Sequence, residues 1–134
     1  KIEFKRAKHF FDENGRVINA FLDIKENDVK KFLNEINESG LSSELLLQNI
    51  LIPGEETNNL LEGLHLARSF IKDGAVRVHG GGFGGTILTF INKKDTQDYI
   101  KFMGKKFGEN NILIVYPCEN PLRIVEILNA NTKR

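Results

Sequence analysis

A cluster of glycines lies near the middle of the chain, where backbone groups rather than side chains could do the chemistry. Five of the twelve glycines fall within residues 80–85. Glycine reaches positive φ without steric cost, so such a run can turn several N–H groups toward one anion or approach another backbone closely. The candidate site is therefore Gly80, Gly81, Gly82, Phe83, Gly84 and Gly85, with Arg77 and His79 as supporting side chains.

Two familiar phosphate-binding motifs have glycines at similar spacing. Gly80, Gly82 and Gly85 satisfy the dinucleotide pattern G-x-G-x-x-G, which requires a helix after the glycines. Residues 86–91 are β-branched and aromatic, which predicts a strand instead. A Walker A loop is excluded because no Lys-Ser or Lys-Thr follows. The pattern indicates strand, glycine loop and strand; the alternative is a hairpin tip without function.

The polar side chains allow more than one interpretation. His79 could contact a ligand or hydrogen-bond the turn, and Arg77 could offer its charge to a phosphate or pair with a helix carboxylate. His9 and His65 lie in helical patterns, as surface or interhelical residues. Glu13 and its neighbour Asp12 lie at pairing distance from Arg16 on one helix.

No acid and base pair, activated nucleophile or metal cluster is evident in the sequence. We therefore expect no catalytic residue and no metal site in this chain, which does not look like a complete enzyme.

Composition limits the class of protein further. The 134 residues suffice for one domain. A formal charge of +1 gives no reason to expect a nucleic acid or a membrane as partner. With Cys118 as the only cysteine and no apolar run of about 18 residues, we expect a cytoplasmic location without disulfides. Because the chain starts at Lys1, we expect it to be part of a longer protein.

Hydrophobic periodicity predicts helices through most of the first half. In residues 5–24 apolar side chains recur at three- and four-residue steps and form one stripe. Asn27 or Asp28 can cap a second helix that Gly40 would end. Further helices are expected over residues 42–51, from Glu55 and Glu56 to Gly74, and from Asp95 or Thr96 to Phe107.

Four segments have strand character, at residues 74–79, 86–91, 112–116 and 122–128. Helices followed by two strands, a helix and two more strands favour an α+β fold. We expect a small, mainly antiparallel four-stranded sheet packed with helices and preceded by a helical segment.

Three motifs resemble the GHMP superfamily of small-metabolite kinases, and within it galactokinase. Residues 74–86 resemble the superfamily's third motif. Arg6, Ala7 and His9, followed by Glu13, Arg16 and Val17, are similar to the galactokinase helix R-A-x-H-x-x-x-E-x-x-R-V. Residues 37–39 match its N-E-S. The motifs occur in the family's order over residues 5–92.

The resemblance implies that residues 1–134 are a GHMP kinase C-terminal domain with a ferredoxin-like fold. The full-length enzyme would phosphorylate galactose to galactose 1-phosphate with ATP and magnesium. Its catalytic groups would lie in an absent N-terminal domain, so this fragment alone would be inactive and would bind no cofactor tightly. Its partners would be that N-terminal domain and galactose or a related small sugar. The glycine loop would pack against the N-terminal domain's phosphate loop and help to close the ATP and sugar cleft.

One segment imitates another motif of the family, and one departs from the common galactokinase pattern. Residues 40–43 imitate the G-L-S-S of the family's second motif, but their neighbours do not fit, and a serine-rich helix cap is the better interpretation. The segment after N-E-S resembles one bacterial branch, which has S-G-x-S-S and a later L-Q-N. Alternative functions are a non-catalytic sugar or ATP sensor, a GHMP kinase for another small metabolite, and a free-standing module that binds a small anion.

Overall fold

Four α-helices and one β-hairpin form the described part of the protein. The computed structural model describes residues 1–116. In chain order its elements are α1 (Ile2–Lys25), α2 (Val29–Ser42), α3 (Asn59–Phe70), β1 (Ala75–His79), β2 (Thr86–Phe90) and α4 (Thr96–Phe107). The predicted α+β class is confirmed, as are the bounds of the last helix.

The hairpin is antiparallel, with Ala75 opposite Phe90 and His79 opposite Thr86. This arrangement confirms the predicted order of strand, glycine loop and strand. The four-stranded sheet is not found, because β1 and β2 form a two-stranded sheet in the described part. Residues 112–116 form no strand there, since they meet no neighbouring strand to exchange hydrogen bonds with. The predicted strand at 122–128 lies outside the described residues.

The core lies between the hairpin and the helices α3 and α4. Leu64 and Ala67 of α3, Val78 of β1 and Met103 of α4 are buried together. Tyr99 of α4 is also buried, and its hydroxyl lies 2.9 Å from Thr89 Oγ1 on β2, so its polar end is satisfied. Both helices therefore turn an apolar face toward the hairpin.

Side-chain caps explain where α2 and α3 begin. Asp28 accepts a hydrogen bond from the Lys31 N–H at 3.0 Å, as predicted for the start of α2. Asn58 accepts one from the Leu61 N–H at 2.9 Å. The helix α3 therefore begins at Asn59, later than the expected start at Glu55.

Two predictions about the end of α2 were wrong. Gly40 does not end this helix but lies buried within it, where an added Cβ would come within 2.9 Å of Arg77 Cβ. A glycine there lets α2 approach β1 closely. The serine-rich segment forms no side-chain cap either, because α2 continues into a π-helical turn at Ser43–Leu47 and the Ser42 hydroxyl meets His9 and Arg16 instead. This turn replaces the separate helix expected at 42–51.

The helix α1 is the longest element and packs along α2. No helix in the described part of the chain has both the length and the apolar character needed to cross a bilayer.

Candidate functional site

The glycine loop, residues 80–85, has an unusual backbone path. Four of its residues have positive φ: Gly80 (77°), Gly82 (85°), Phe83 (54°) and Gly84 (108°). Three of them are glycines, which adopt this region freely, whereas Phe83 adopts it at a steric cost. A non-glycine residue in this region must be held there by its surroundings.

The surroundings are a short segment that we call the strap, residues 48–50. The backbone O of Asn49 accepts a hydrogen bond from the Phe83 N–H at 2.8 Å. The Asn49 side-chain amide donates to Gly81 O at 3.4 Å. The glycine loop is thus docked on the strap, which fixes the strained Phe83 in place.

The loop has one packed side and one open side. A Cβ added to Gly82 would lie 2.0 Å from Asn49 O, far inside van der Waals contact. At Gly82, the close backbone approach expected of this loop is therefore made within the chain. A Cβ at Gly80, Gly81 or Gly84 would meet no atom within 4 Å.

The strap is held from three directions. Its first residue, Gln48, has φ 60° and donates its N–H to Ser43 O at 2.8 Å, closing the π-helical turn. The Asn58 side chain donates to Ile50 O at 2.8 Å. The Ile50 side chain is buried in the core. The strap is therefore a fixed support, and not a second mobile loop.

The open side of the loop has room for a ligand or for another backbone, since an added Cβ at Gly80, Gly81 or Gly84 meets nothing within 4 Å. The Phe83 N–H is used within the chain, where it donates to Asn49 O. A glycine-rich concave loop of this kind is suited to binding anionic oxygens through backbone N–H groups. The Phe83 side chain itself is half exposed beside them.

Arg77 and His79 differ in their surroundings. Arg77 is partly buried and donates to Val78 O at 3.0 Å, to the Ser39 hydroxyl, and to Glu13 Oε1 at 3.4 Å. Of its two interpretations, the structure therefore shows pairing with a helix carboxylate. His79 is exposed at the end of β1 and next to the glycine loop.

A polar network joins α1, α2 and β1 behind the hairpin. Glu13 accepts hydrogen bonds from Arg16 at 2.9 Å, from Ser39 and from Arg77. Arg16 also donates to Ser42 Oγ at 2.9 Å.

His9 completes the network from α1, because its Nδ1 lies 2.9 Å from Ser42 Oγ on α2. The interhelical alternative therefore applies to His9. The galactokinase-like motif of α1 and Ser39 of N-E-S thus join α1, α2 and β1 behind the hairpin, away from the glycine loop.

The network determines the protonation of Glu13. Burial of the carboxylate opposes its ionisation, but the hydrogen bonds from Ser39 and Arg16 and the charges of Arg16 and Arg77 outweigh that effect. The pKa of Glu13 is consequently lower than its ordinary value of 4.5. Glu13 is a structural anion near neutral pH and has no proton to offer there.

Asn37, the asparagine of N-E-S, contacts the chain at the start of β1 and not the polar network. Asn37 donates its amide to Gly74 O at 3.0 Å and accepts the Val76 N–H at 3.1 Å. These two bonds fix the chain where it enters β1, five residues before the glycine loop. Sequence reasoning gave no structural role to Asn37 or Asn49, although the N-E-S and L-Q-N motifs that contain them were the available signal.

No metal centre accompanies the loop in the part of the chain that is described. Among residues 1–116, no group of three His, Cys, Asp or Glu side chains could hold a metal ion. The site is thus a backbone surface supported by asparagines.

Comparisons with known proteins agree with the motifs. The chain is 31% identical over 108 residues to a galactokinase of Lacticaseibacillus casei, which covers 81% of this chain and 26% of the relative. A galactokinase of Lactobacillus helveticus is 32% identical over 109 residues, covering 80% and 26%. One from Glaesserella parasuis serovar 5 is 30% identical over 129 residues, covering 93% and 32%.

The resemblance to galactokinases is confirmed by these matches and is consistent with a C-terminal fragment. The chain spans about a quarter to a third of the length of the curated relatives it matches. No protein-family profile matches the chain. No solved structure matches it either.

Proposed function

We propose that this chain is the C-terminal domain of a galactokinase-like enzyme that phosphorylates galactose to galactose 1-phosphate with ATP. The similarity to curated galactokinases over most of the chain supports this family of reactions. The observation that carries the proposal is the glycine loop, which is docked on the strap by Gly82 and presents its other face to open space. The complete domain would extend the hairpin to the four-stranded, ferredoxin-like sheet that the resemblance implies.

The loop would act by position and not by proton transfer. Phosphoryl transfer depends on placing the reactants and on stabilising negative charge. Backbone amides on the open side of residues 80–85 would lie against the phosphate loop of an N-terminal domain and help to enclose ATP and sugar. Magnesium, which stabilises phosphate charge, would be held outside residues 1–116, because no cluster of ligands is found within that range.

We further propose that the domain contributes no catalytic residue and works in the cytoplasm with its own N-terminal domain. Glu13, a partly buried carboxylate, is already paired with two arginines and a serine. The isolated chain should therefore be inactive.

The test is galactose-dependent ATP consumption by the full-length product of this reading frame. Other hexoses and the isolated 134-residue chain serve as controls. Turnover with galactose by the long form alone supports the proposal. ATP binding without turnover of any hexose would indicate a sensor, and turnover of another metabolite would indicate a different GHMP kinase.

A further inference from the structure

The helix α1 buries its polar side and exposes its apolar side. Toward α2 and β1 it presents His9, Glu13, Arg16 and Asp23, all partly or fully buried. The apolar stripe predicted for residues 5–24 exists, but it points away from the core of the described residues. This orientation is the reverse of the usual surface helix, whose apolar side packs inward.

The exposed apolar side forms one continuous surface, which we call the outer face of α1. Each of its large side chains is 47% to 72% exposed. Its members are Phe4, Phe10, Phe11, Val17, Ile18, Phe21, Leu22 and Ile24. At about 100 Å² for each half-exposed large side chain, they present roughly 800 Å², which is about one partner's share of a standard protein interface. Apolar patches on monomers are usually smaller.

The outer face is also free of charge along most of its length. Its members lie within an arc of roughly 160°, at 100° per residue. Between Ala7 and Ile24 this arc holds no charged side chain, and the amide of its one strongly polar residue, Asn14, turns back to Phe10 O at 3.1 Å. Such a surface fits an apolar partner; its charged groups lie toward its ends, where Glu3 and Arg6 precede Ala7 and Lys25 Nζ lies 5.6 Å from the centroid of the Phe21 ring.

The width of the arc identifies the kind of partner. Two helices that pair through one seam bury a narrow stripe, with two positions in seven facing the partner. The same helix of a second copy would therefore leave one edge of a 160° arc exposed. A sheet, or more than one helix, is needed to cover it.

We infer that the outer face of α1 docks on the portion of a galactokinase-length polypeptide that this chain does not include. About three quarters of the Lacticaseibacillus casei relative has no counterpart here, which is ample to supply a broad apolar surface. That the partner belongs to the same polypeptide rests on the proposed function. That some apolar partner covers the outer face rests on α1 alone. The polypeptide would then close on this domain at two places, the glycine loop and α1.

Thiol labelling tests the inference without measuring turnover. In a Cys118→Ser background, Ile18→Cys reports on the outer face, and Lys30→Cys on the exposed side of α2 is the matched control. In the isolated chain both thiols should react at similar rates. In the full-length product, Ile18→Cys should react at least about tenfold more slowly relative to Lys30→Cys, because a docked site reacts only when it opens.

Equal labelling of Ile18→Cys in the two forms would overturn the inference. Protection that grows with the concentration of the isolated chain would overturn it in favour of a second copy, and protection that needs lipid vesicles would do so in favour of a membrane surface. A full-length product that protects Ile18→Cys but phosphorylates no sugar would leave the docking face standing and refute the proposed function.

Discussion

Replacing Gly82 by alanine should lift the glycine loop from the strap, because two separate costs arise at this position. The new Cβ would lie 2.0 Å from Asn49 O, so the loop and the strap must separate. The backbone φ of 85° is also unfavourable for alanine, at about 1–2 kcal/mol. Losing the hydrogen bond from the Phe83 N–H to Asn49 O adds about 0.5–1.5 kcal/mol.

The docked conformation of the loop should therefore become about 1.5–3.5 kcal/mol less favourable in Gly82→Ala. Gly81→Ala is the matched control, since a Cβ there meets nothing within 4 Å and Gly81 is not among the positive-φ glycines. Its effect on the isolated chain should stay within about 0.5 kcal/mol.

Two measurements separate the effect on loop docking from the effect on activity. Amide hydrogen exchange of Phe83 in the isolated chain should accelerate by about 10- to 400-fold in Gly82→Ala, the factor that about 1.5–3.5 kcal/mol corresponds to, and should hardly change in Gly81→Ala. ATP consumption by the full-length product should fall in both variants, because the Gly81 methyl group would intrude on the open side of the loop. Unchanged Phe83 exchange in Gly82→Ala would refute the docking of the loop on the strap. Full activity of Gly81→Ala would refute a close partner on the open side.

Three further substitutions test the scaffold by chemical denaturation. Because the pKa of Glu13 lies below 4.5, its ionised carboxylate stabilises the fold above that pH, and this stabilisation is lost as the pH falls. Glu13→Gln should therefore make the free energy of unfolding less dependent on acid pH and should lower it at pH 7. Asn37→Ala should cost about 1–3 kcal/mol by leaving the Val76 N–H unpaired, with Asn37→Asp as the partial replacement. Leu64→Ala should cost about 2–5 kcal/mol because Leu64 is 1% exposed, and a smaller loss would mean a loosely packed core.

Local sequence signals predicted the parts of the fold that local physics determines. The cap at Asp28, the helix ending at Phe107 and the hairpin around the glycines all depend on residues within a few positions of one another. Gly40 was misread because a glycine can end a helix or admit a close neighbour, and the neighbour, Arg77, lies far along the chain.

The direction of a helix face could not be predicted in the same way. Periodicity showed that residues 5–24 carry an apolar stripe, but it does not show which part of the protein the stripe packs against. The polar network around Glu13 decides that α1 turns its charged side to this domain.

The sequence located the candidate site but did not reveal what supports it. Glycine composition indicated the loop, whereas its support comes from Asn49, 32 residues before Gly81. Asn49, between Gln48 and Ile50, looks like an ordinary loop residue, and only the folded chain shows that its backbone meets Phe83.

The π-helical turn before the strap makes the number of residues between Ser43 and Gln48 more important than their types. The Gln48 N–H bonds to Ser43 O, five residues back, where an α-helix would bond four residues back. Deleting one residue between them would restore ordinary winding and rotate everything after it by about 100°. Asn49 would then turn away from the glycine loop even though every contacting residue was still present. Deleting or inserting one residue in this turn should therefore disturb the glycine loop more than replacing the exposed side chain of Leu45 would.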